Sequence, residues 1–290
     1  MTLISILLGL GLERLYDRVR HWRRYEHFHD YVLWLRSRLA EAPVAGRGEL
    51  LLVLAGPLLV VALLQAWLDD ALWGLGGLIF GVLVLVVCLG PRDLFVDIRA
   101  LADAAASGDD LTFARFADES LALPLVPEPD ARIDQVTGEL LAEANRRIFG
   151  VLFWFALLGP LGAVLYRAAQ ELRLREAQDG DPLFAQAILQ LLAVLDWIPA
   201  RLTALSYALS GDFEGALTRW RHHADTAGSG SLASDAILAG VGRGALNDPG
   251  PHRDPDAQAR LLESVSGLVG RALFVWVFVI ALLVLAGLIA

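Results

Sequence analysis

Residues 195–205 of this chain are Leu195-Asp196-Trp197-Ile198-Pro199-Ala200-Arg201-Leu202-Thr203-Ala204-Leu205. They lie inside an apolar segment, Pro182 to Leu209, whose length would otherwise predict one membrane-spanning helix. A charged side chain at membrane depth costs about 2.5–3.5 kcal/mol on insertion scales, and it normally faces a partner or a cavity. Pro199 lacks a backbone donor, so a helix kinks or breaks here and leaves a carbonyl oxygen that needs another partner. The stretch therefore predicts a broken or re-entrant helix over residues 182–209 with a polar site at the break.

Asp196 and Arg201 are the charged residues of this stretch and the first candidates for a ligand-binding site. An unbroken helix would turn two residues of this spacing about 140° away from each other. A bend at Pro199 would instead bring both side chains into one polar pocket. A kinked helix with a purely structural ion pair explains the same residues equally well.

The composition indicates an integral membrane protein. The chain has 290 residues, of which 56% are hydrophobic, and its mean hydropathy is +0.53. A net charge of −9 argues against nucleic acid as a partner. All basic residues are arginines, and the single cysteine, Cys88, can form no internal disulfide. No metal-ligand spacing, P-loop or catalytic-serine motif is present, so the sequence identifies no metal site and leaves any cofactor unknown.

Four apolar segments predict membrane spans, near residues 50–68, 71–90, 148–166 and 272–290. The apolar run at residues 1–12 is too short to cross a bilayer, and it predicts an N-terminal helix embedded in the bundle or tilted through one leaflet. We expect an all-α, polytopic membrane helix bundle that forms a single membrane domain over residues 1–290.

Two flanks indicate the orientation in the membrane. Residues 13–47 interleave arginines with aromatic residues, as in an amphipathic helix that lies on anionic lipid, although the same pattern could line an anion-binding mouth. Residues 91–147 form an acidic, helical segment interrupted at Gly108-Asp109-Asp110. Because the hairpin of the first two spans joins these flanks, and arginine-rich flanks face the cytoplasm, we expect both on the cytoplasmic side.

Several motifs, read together, resemble the family of AmpE, an inner-membrane protein linked to β-lactamase induction. That family is itself similar to the CobD/CbiB adenosylcobinamide-phosphate synthases. The motifs are Met1-Thr2-Leu3 with Glu13-Arg14-Leu15; Arg99-Ala100-Leu101-Ala102 with Gly108-Asp109 and Ala114-Arg115; Leu152-Phe153-Trp154 with Gly159-Pro160 and Tyr166-Arg167; and Leu195 to Leu205. The last is the most specific, and the resemblance covers most of the chain.

The resemblance also marks where the chain departs from the synthases. They carry an asparagine at the position of Asp196 and an acidic pair shortly before it, where this chain has apolar residues around Leu192 and Ala193. Their Glu-Asn pair is only approximated by Glu143 and Asn145. Their Asn-Thr-Leu-Asp run becomes Gln170-Glu171-Leu172-Arg173. A synthase that uses a magnesium nucleotide needs several carboxylates, so the resemblance implies a retained fold whose chemistry has been lost.

The stretch and the resemblance together give the set of ligand-binding candidates and three functions. The candidates are Asp196, Trp197, Pro199, Arg201, Thr203, Glu143, Asn145, Tyr166 and Arg167. The first function is a multi-pass bacterial inner-membrane sensor that regulates β-lactamase induction in response to cell-wall stress. The alternatives are a membrane transferase or ligase and a lipid or small-molecule carrier. The expected partners are membrane lipid and cell-wall-recycling or signalling proteins, and a homodimer is allowed.

Overall fold

The structure is a computed structural model that describes residues 2–15, 25–39, 46–69, 75–90, 93–179, 181–226, 231–247 and 254–287, and these are helical with no strand among them. The α-helices are α1 (Thr2–Leu15), α2 (Glu26–Leu39), α3 (Arg47–Asp69), α4 (Leu75–Cys88), α5 (Leu94–Ala106), α6 (Asp110–Leu121), α7 (Pro129–Ala144), α8 (Gly150–Leu158), α9 (Pro160–Asp179), α10 (Pro182–Leu195), α11 (Trp197–Ser210), α12 (Phe213–Thr226), α13 (Ser231–Leu246) and α14 (Pro255–Leu285). A π-helical turn, Asn145–Phe149, joins α7 to α8. The expected all-α class is confirmed.

The chain forms two compact units. The first unit comprises Met1–Pro91, Gly150–Asp196 and Ile280–Ala290, and the second comprises Arg92–Phe149 and Trp197–Val279. Each unit has its own buried apolar residues, such as Leu85 and Phe155 in the first and Leu140 and Val265 in the second.

Helix α9 is the centre of the first unit, where α3, α4, α8 and α10 all pack against it. Helix α1 packs on α4 and α8, and its Ile6 side chain is fully buried. The α4 residue Gly81 lies close to Ser5 of α1 and Phe155 of α8, and a methyl group there would be 3.2 Å from the Ser5 hydroxyl. The N-terminal helix therefore packs against other helices of the first unit, and its place in the membrane stays a prediction.

Helix α13 has the corresponding role in the second unit, where α7, α11 and α12 pack against it. Its glycines permit close contact: a methyl group on Gly244 would lie 2.5 Å from the carbonyl oxygen of Gly215, and one on Gly242 would lie 2.7 Å from Leu141. The backbone N–H of Asp212 also donates to the carbonyl of Ala245 at 2.8 Å. The glycine-rich run around Gly242 is thus a helix-packing surface.

The expected count of about four spans is not confirmed. Two described helices are long and apolar enough to cross a membrane, Arg47–Leu68 and Pro255–Leu285, and the bent pair α10–α11 would make a third. Helix α4 has only 14 residues, and residues 71–74 lie outside the described part. The segment 148–166 is interrupted at Gly159, whose φ of +66° ends α8. The last span is the C-terminal part of the 31-residue α14.

Candidate functional site

The predicted helix break lies at Asp196, where α10 ends and α11 begins. Proline is tolerated in the first turn of a helix, so Pro199 belongs to α11 and the break precedes it. Since Pro199 has no N–H, it cannot donate to the carbonyl of Leu195. The indole N–H of Trp154 on α8 donates to that carbonyl instead, at 3.1 Å. The carbonyl that the sequence leaves without its helical donor therefore has a side-chain partner.

The Asp196 carboxylate is buried at the break, with 4% of the residue exposed. The Tyr166 hydroxyl donates to its Oδ1 at 2.6 Å, and the Gln170 amide donates to the Tyr166 oxygen at 3.1 Å. The Tyr166 ring lies directly on Gly150, where a methyl group would be 2.4 Å from the phenol oxygen. The structure therefore brings together two predicted residues, Tyr166 and Asp196, and the space that Tyr166 occupies requires glycine at position 150.

A second group of polar residues continues along α9. Arg167 donates to Glu171 one turn later, and its guanidinium lies 5.0 Å from the centre of the Tyr25 ring. His29 Nε2 is 3.7 Å from the other Glu171 oxygen. Burial raises the pKa of Tyr25 to about 12 even though the Arg167 charge lowers it in part, and its hydroxyl donates to the carbonyl of Val87 at 2.6 Å. These contacts tie the start of α2 to α9 and α4.

The remaining predicted polar residues lie in the second unit. The Thr203 hydroxyl donates to Asn145 Oδ1 at 3.1 Å, and both residues are buried. This contact joins α11 to the π turn. The two Glu143 oxygens accept from consecutive arginines, at 2.6 Å from Arg146 Nη1 and 2.6 Å from Arg147 Nε. Glu143 is therefore held by two guanidinium groups.

Arg146 and Arg147 are not among the predicted site residues, yet each of them connects more than one element of the second unit. Arg146 also pairs with Glu139 at 2.5 Å and with Asp235 on α13 at 2.7 Å. Arg147 also pairs with Asp97 on α5 at 2.7 Å and donates to the carbonyl of Ser120 at the end of α6.

Both arginine pKa values are raised. Burial alone would lower both pKa values, but the negative charge of Glu143 raises them. Asp235 further raises the pKa of Arg146, and Asp97 further raises that of Arg147. Both guanidinium groups stay charged. The Glu143–Arg147 pair has the four-residue spacing that a sequence can reveal, whereas the contacts with Asp97 and Asp235 depend on tertiary packing.

Trp197, Pro199 and Arg201 lie in the first part of α11. Arg201 donates from Nη1 to the carbonyl of Trp197 at 2.8 Å, and its guanidinium stacks 4.2 Å from the indole ring. Trp197 is exposed and Pro199 is buried. These contacts belong to the second unit and the Asp196 contacts to the first, so the pocket shared by Asp196 and Arg201 stays a prediction.

The described acids do not form a metal site. Within the described ranges, no group of three or more His, Cys, Asp or Glu residues is arranged to hold a metal ion. Glu143 and Asp97, the acids buried deepest in the second unit, are both engaged by arginine. Magnesium ions prefer carboxylate oxygens whose charge is not already neutralised, so this donor set does not fit a magnesium nucleotide.

Comparison with known proteins identifies the family. The family model described as "Regulatory signalling modulator protein AmpE" matches residues 1–289. The chain belongs to the AmpE family. It is 29% identical over 228 residues to Protein AmpE of Shigella flexneri, which covers 76% of this chain and 78% of the relative.

The chain is also similar to proteins named for cobalamin biosynthesis. It is 30% identical to Cobalamin biosynthesis protein CobD of Stutzerimonas stutzeri, over 75% of this chain and 76% of the relative. It is 34% identical to the CobD protein of Chromobacterium violaceum, over 63% and 61% of the two lengths. No solved structure matches the chain significantly. Membership in the AmpE family and the long apolar helices α3 and α14 support a membrane location.

Proposed function

We propose that this protein is a multi-pass protein of the bacterial inner membrane that regulates β-lactamase induction in response to cell-wall stress. The observation that carries the proposal is the AmpE family match over residues 1–289. The relative from Shigella flexneri, whose name is Protein AmpE, supports it. The long apolar helices α3 and α14, with the bent pair α10–α11, support a chain that crosses the membrane more than once.

The helix break at Asp196 is the element that we propose responds to the signal. Its geometry depends on two side-chain hydrogen bonds, from Trp154 to the Leu195 carbonyl and from Tyr166 to the Asp196 carboxylate. A ligand or partner that competes for either bond would change the geometry of the chain at the end of α10. Because a ligand shifts a conformational equilibrium only through its different affinity for the two states, the signal must bind one geometry of the break better than the other.

The partners of this regulator would be cell-wall-recycling or signalling proteins and membrane lipid, and a homodimer is compatible with the proposal. We base the lipid partner on the exposed apolar side chains of α3, which include Leu51, Leu59, Leu63 and Trp67. The acidic segment 91–147 would face the cytoplasm, where a regulator can meet soluble signalling proteins.

Complementation of a deletion strain tests the proposal. The strain receives wild-type protein, Tyr166→Phe or the matched control Tyr207→Phe, and β-lactamase activity is measured after induction with a β-lactam. Both changes remove one buried tyrosine hydroxyl, but that of Tyr207 donates to the carbonyl of Leu141 in the second unit at 2.9 Å.

We expect Tyr166→Phe to alter induction as the deletion does, and Tyr207→Phe to behave as wild type at equal protein level. If deletion itself leaves induction unchanged, the regulatory function is wrong. If deletion has an effect but the two variants do not differ, the assignment of the signal to the helix break is wrong.

The CobD relatives favour a second candidate, a membrane transferase or ligase related to the cobinamide-phosphate synthases. Purified protein is incubated with Mg-ATP, a corrinoid acid and an amine phosphate, and the amide product is measured. We expect no turnover, because the carboxylates Glu143 and Asp97 are held by arginines. Turnover that disappears in Asp196→Ala would favour the enzyme over the regulator.

A further inference from the structure

One face of α14 changes from charged to apolar at a single point. The side chains on this exposed face are, in chain order, Asp256, Arg260, Glu263, Ser264, Arg271, Phe274 and Phe278. The opposite face is buried, and from Leu262 onward it is apolar, with Leu262, Val269 and Trp276. Phe274 is 73% exposed within the chain. An exposed face that changes from charges to phenylalanines within one helical turn is typical of a helix that passes from water into the hydrocarbon of a membrane.

Helix α11 has an apolar exposed face that ends where the helix contacts Arg271 of α14. Its exposed residues Ile198, Leu202, Leu205 and Leu209 lie at helical spacing on one apolar face. The helix ends at Ser210, and Nε of Arg271 donates to the Ser210 carbonyl at 2.8 Å. Two neighbouring helices of the second unit thus become polar at one contact, which is where a membrane boundary would lie.

The Arg271 side chain is directed toward the charged part of α14. Its Nη1 lies 3.2 Å from the position that a methyl group on Gly267 would occupy, one turn nearer the start of the helix. Gly267 therefore leaves room for the guanidinium to lie back along the helix. Among the described residues, the Ser210 carbonyl is the one hydrogen-bond partner of Arg271. This is the arrangement of an arginine whose aliphatic part stays in hydrocarbon while its charge reaches the headgroups.

We propose that the Arg271 guanidinium binds the phosphate of a phospholipid headgroup at this boundary, with Phe274 beside the acyl chains of the same leaflet. Nε is held by Ser210, so the planar group is oriented, and its two terminal nitrogens can donate to two phosphate oxygens. The electrostatic attraction is strongest for anionic lipids such as phosphatidylglycerol. The inference concerns how the second unit is positioned in the membrane, and it does not depend on the proposed regulatory function.

The first experiment measures the binding of dioleoyl-phosphatidylglycerol to the full-length protein in detergent by native mass spectrometry. Arg271→Gln is compared with Arg260→Gln, which removes the same charge from the same face of α14 farther from the boundary. We expect the affinity of the tightest lipid to fall about tenfold in Arg271→Gln, the effect of losing about one charge-assisted hydrogen bond, and to stay unchanged in Arg260→Gln. Equal effects of the two variants would overturn the proposal.

Inorganic phosphate is the second arm of this experiment. If millimolar phosphate displaces phosphatidylglycerol from the wild type, Arg271 holds a general phosphate site, and the lipid proposal is wrong. We expect no displacement, because the acyl chains beside Phe274 contribute to binding the lipid and free phosphate lacks them.

The second experiment keeps Arg271 and measures the boundary directly. Glu263→Cys and Phe278→Cys are made in a Cys88→Ala background, labelled with an environment-sensitive fluorophore and reconstituted in nanodiscs. We expect aqueous iodide to quench the label at position 263, and lipids spin-labelled on their acyl chains to quench the label at position 278. If both labels respond to the same quencher, no membrane boundary lies between these positions and the proposal is refuted.

Discussion

Arg147 offers the sharpest test of how the second unit is stabilised. It is buried and contacts three helices: Asp97 on α5, the Ser120 carbonyl at the end of α6, and Glu143 on α7. In Arg147→Met, Glu143 keeps Arg146 as a partner, but Asp97 loses the arginine that neutralises it. Removing one partner of a buried ion pair costs about 3–5 kcal/mol, because the other charge stays buried without compensation.

The expected loss of stability can be compared with the loss for an ion pair on the surface. Arg243 and Asp134 are 3.3 Å apart and partly exposed, and such pairs contribute roughly 0–1 kcal/mol. For a domain of 150–250 residues, 1 kcal/mol changes the melting temperature by about 2–4 °C. We therefore expect Arg147→Met to lower the melting temperature by roughly 10 °C and Arg243→Ala to lower it by roughly 2 °C or less.

The assay is thermal unfolding of the purified protein in detergent, followed by circular dichroism. The double variant Arg147→Met, Asp97→Leu removes both charges, so it should recover much of the lost stability. If Arg147→Met unfolds within about 2 °C of Arg243→Ala, the buried arginine is not a stabilising connection and the reasoning is refuted.

Three further predictions concern the other contacts. Gly150→Ala should destabilise the protein by about 1–3 kcal/mol by displacing the Tyr166 ring, whereas Gly11→Ala, which meets no atom within 4 Å, should be neutral in the same thermal assay. Arg201→Lys should impair β-lactamase induction nearly as much as Arg201→Ala, since lysine lacks the planar group that stacks on the neighbouring indole; full activity of the lysine variant would contradict this. Between pH 10 and about 12, Tyr25 has lost its proton in the unfolded chain and has kept it in the folded protein. The free energy of unfolding should therefore fall as the pH rises through this window. In measurements of unfolding at a series of pH values, Tyr25→Phe should reduce this fall.

The break in the segment 182–209 shows what the sequence can predict and where it stops. Pro199 predicts both the break and a carbonyl in need of a donor, and both are found. The position of the break differs by three residues, because Pro199 fits the first turn of α11. The donor, Trp154, lies on α8, and only the tertiary packing of α8 brings it to this carbonyl. The effect of a proline on its own helix can be predicted from the sequence, whereas the distant side chain that donates to the freed carbonyl cannot.

The ion pairs of the buried arginines likewise divide into those that the sequence predicts and those that it does not. Glu143 and Arg147 have helical spacing, so their contact could be predicted from sequence. The contacts of Arg146 with Asp235 and of Arg147 with Asp97 join residues far apart in the chain, and no local pattern indicates them. The glycine at position 242 is a further case, because the close packing of α13 on α7 accounts for it and no local pattern indicates that contact.

The arginine pair also shows how buried acids are balanced by the chain itself. A carboxylate that is buried in the folded protein needs a compensating positive charge. Here Arg146 and Arg147 supply the balance for Glu143 with five donors each in a fixed plane. One guanidinium contacts several acids at once: Arg146 pairs with Glu139, Glu143 and Asp235 together. Lysine, a point charge, would hold such a set less specifically. Cations that belong to the chain thus neutralise these acids, and the pairs join α7, α5 and α13 in the folded second unit.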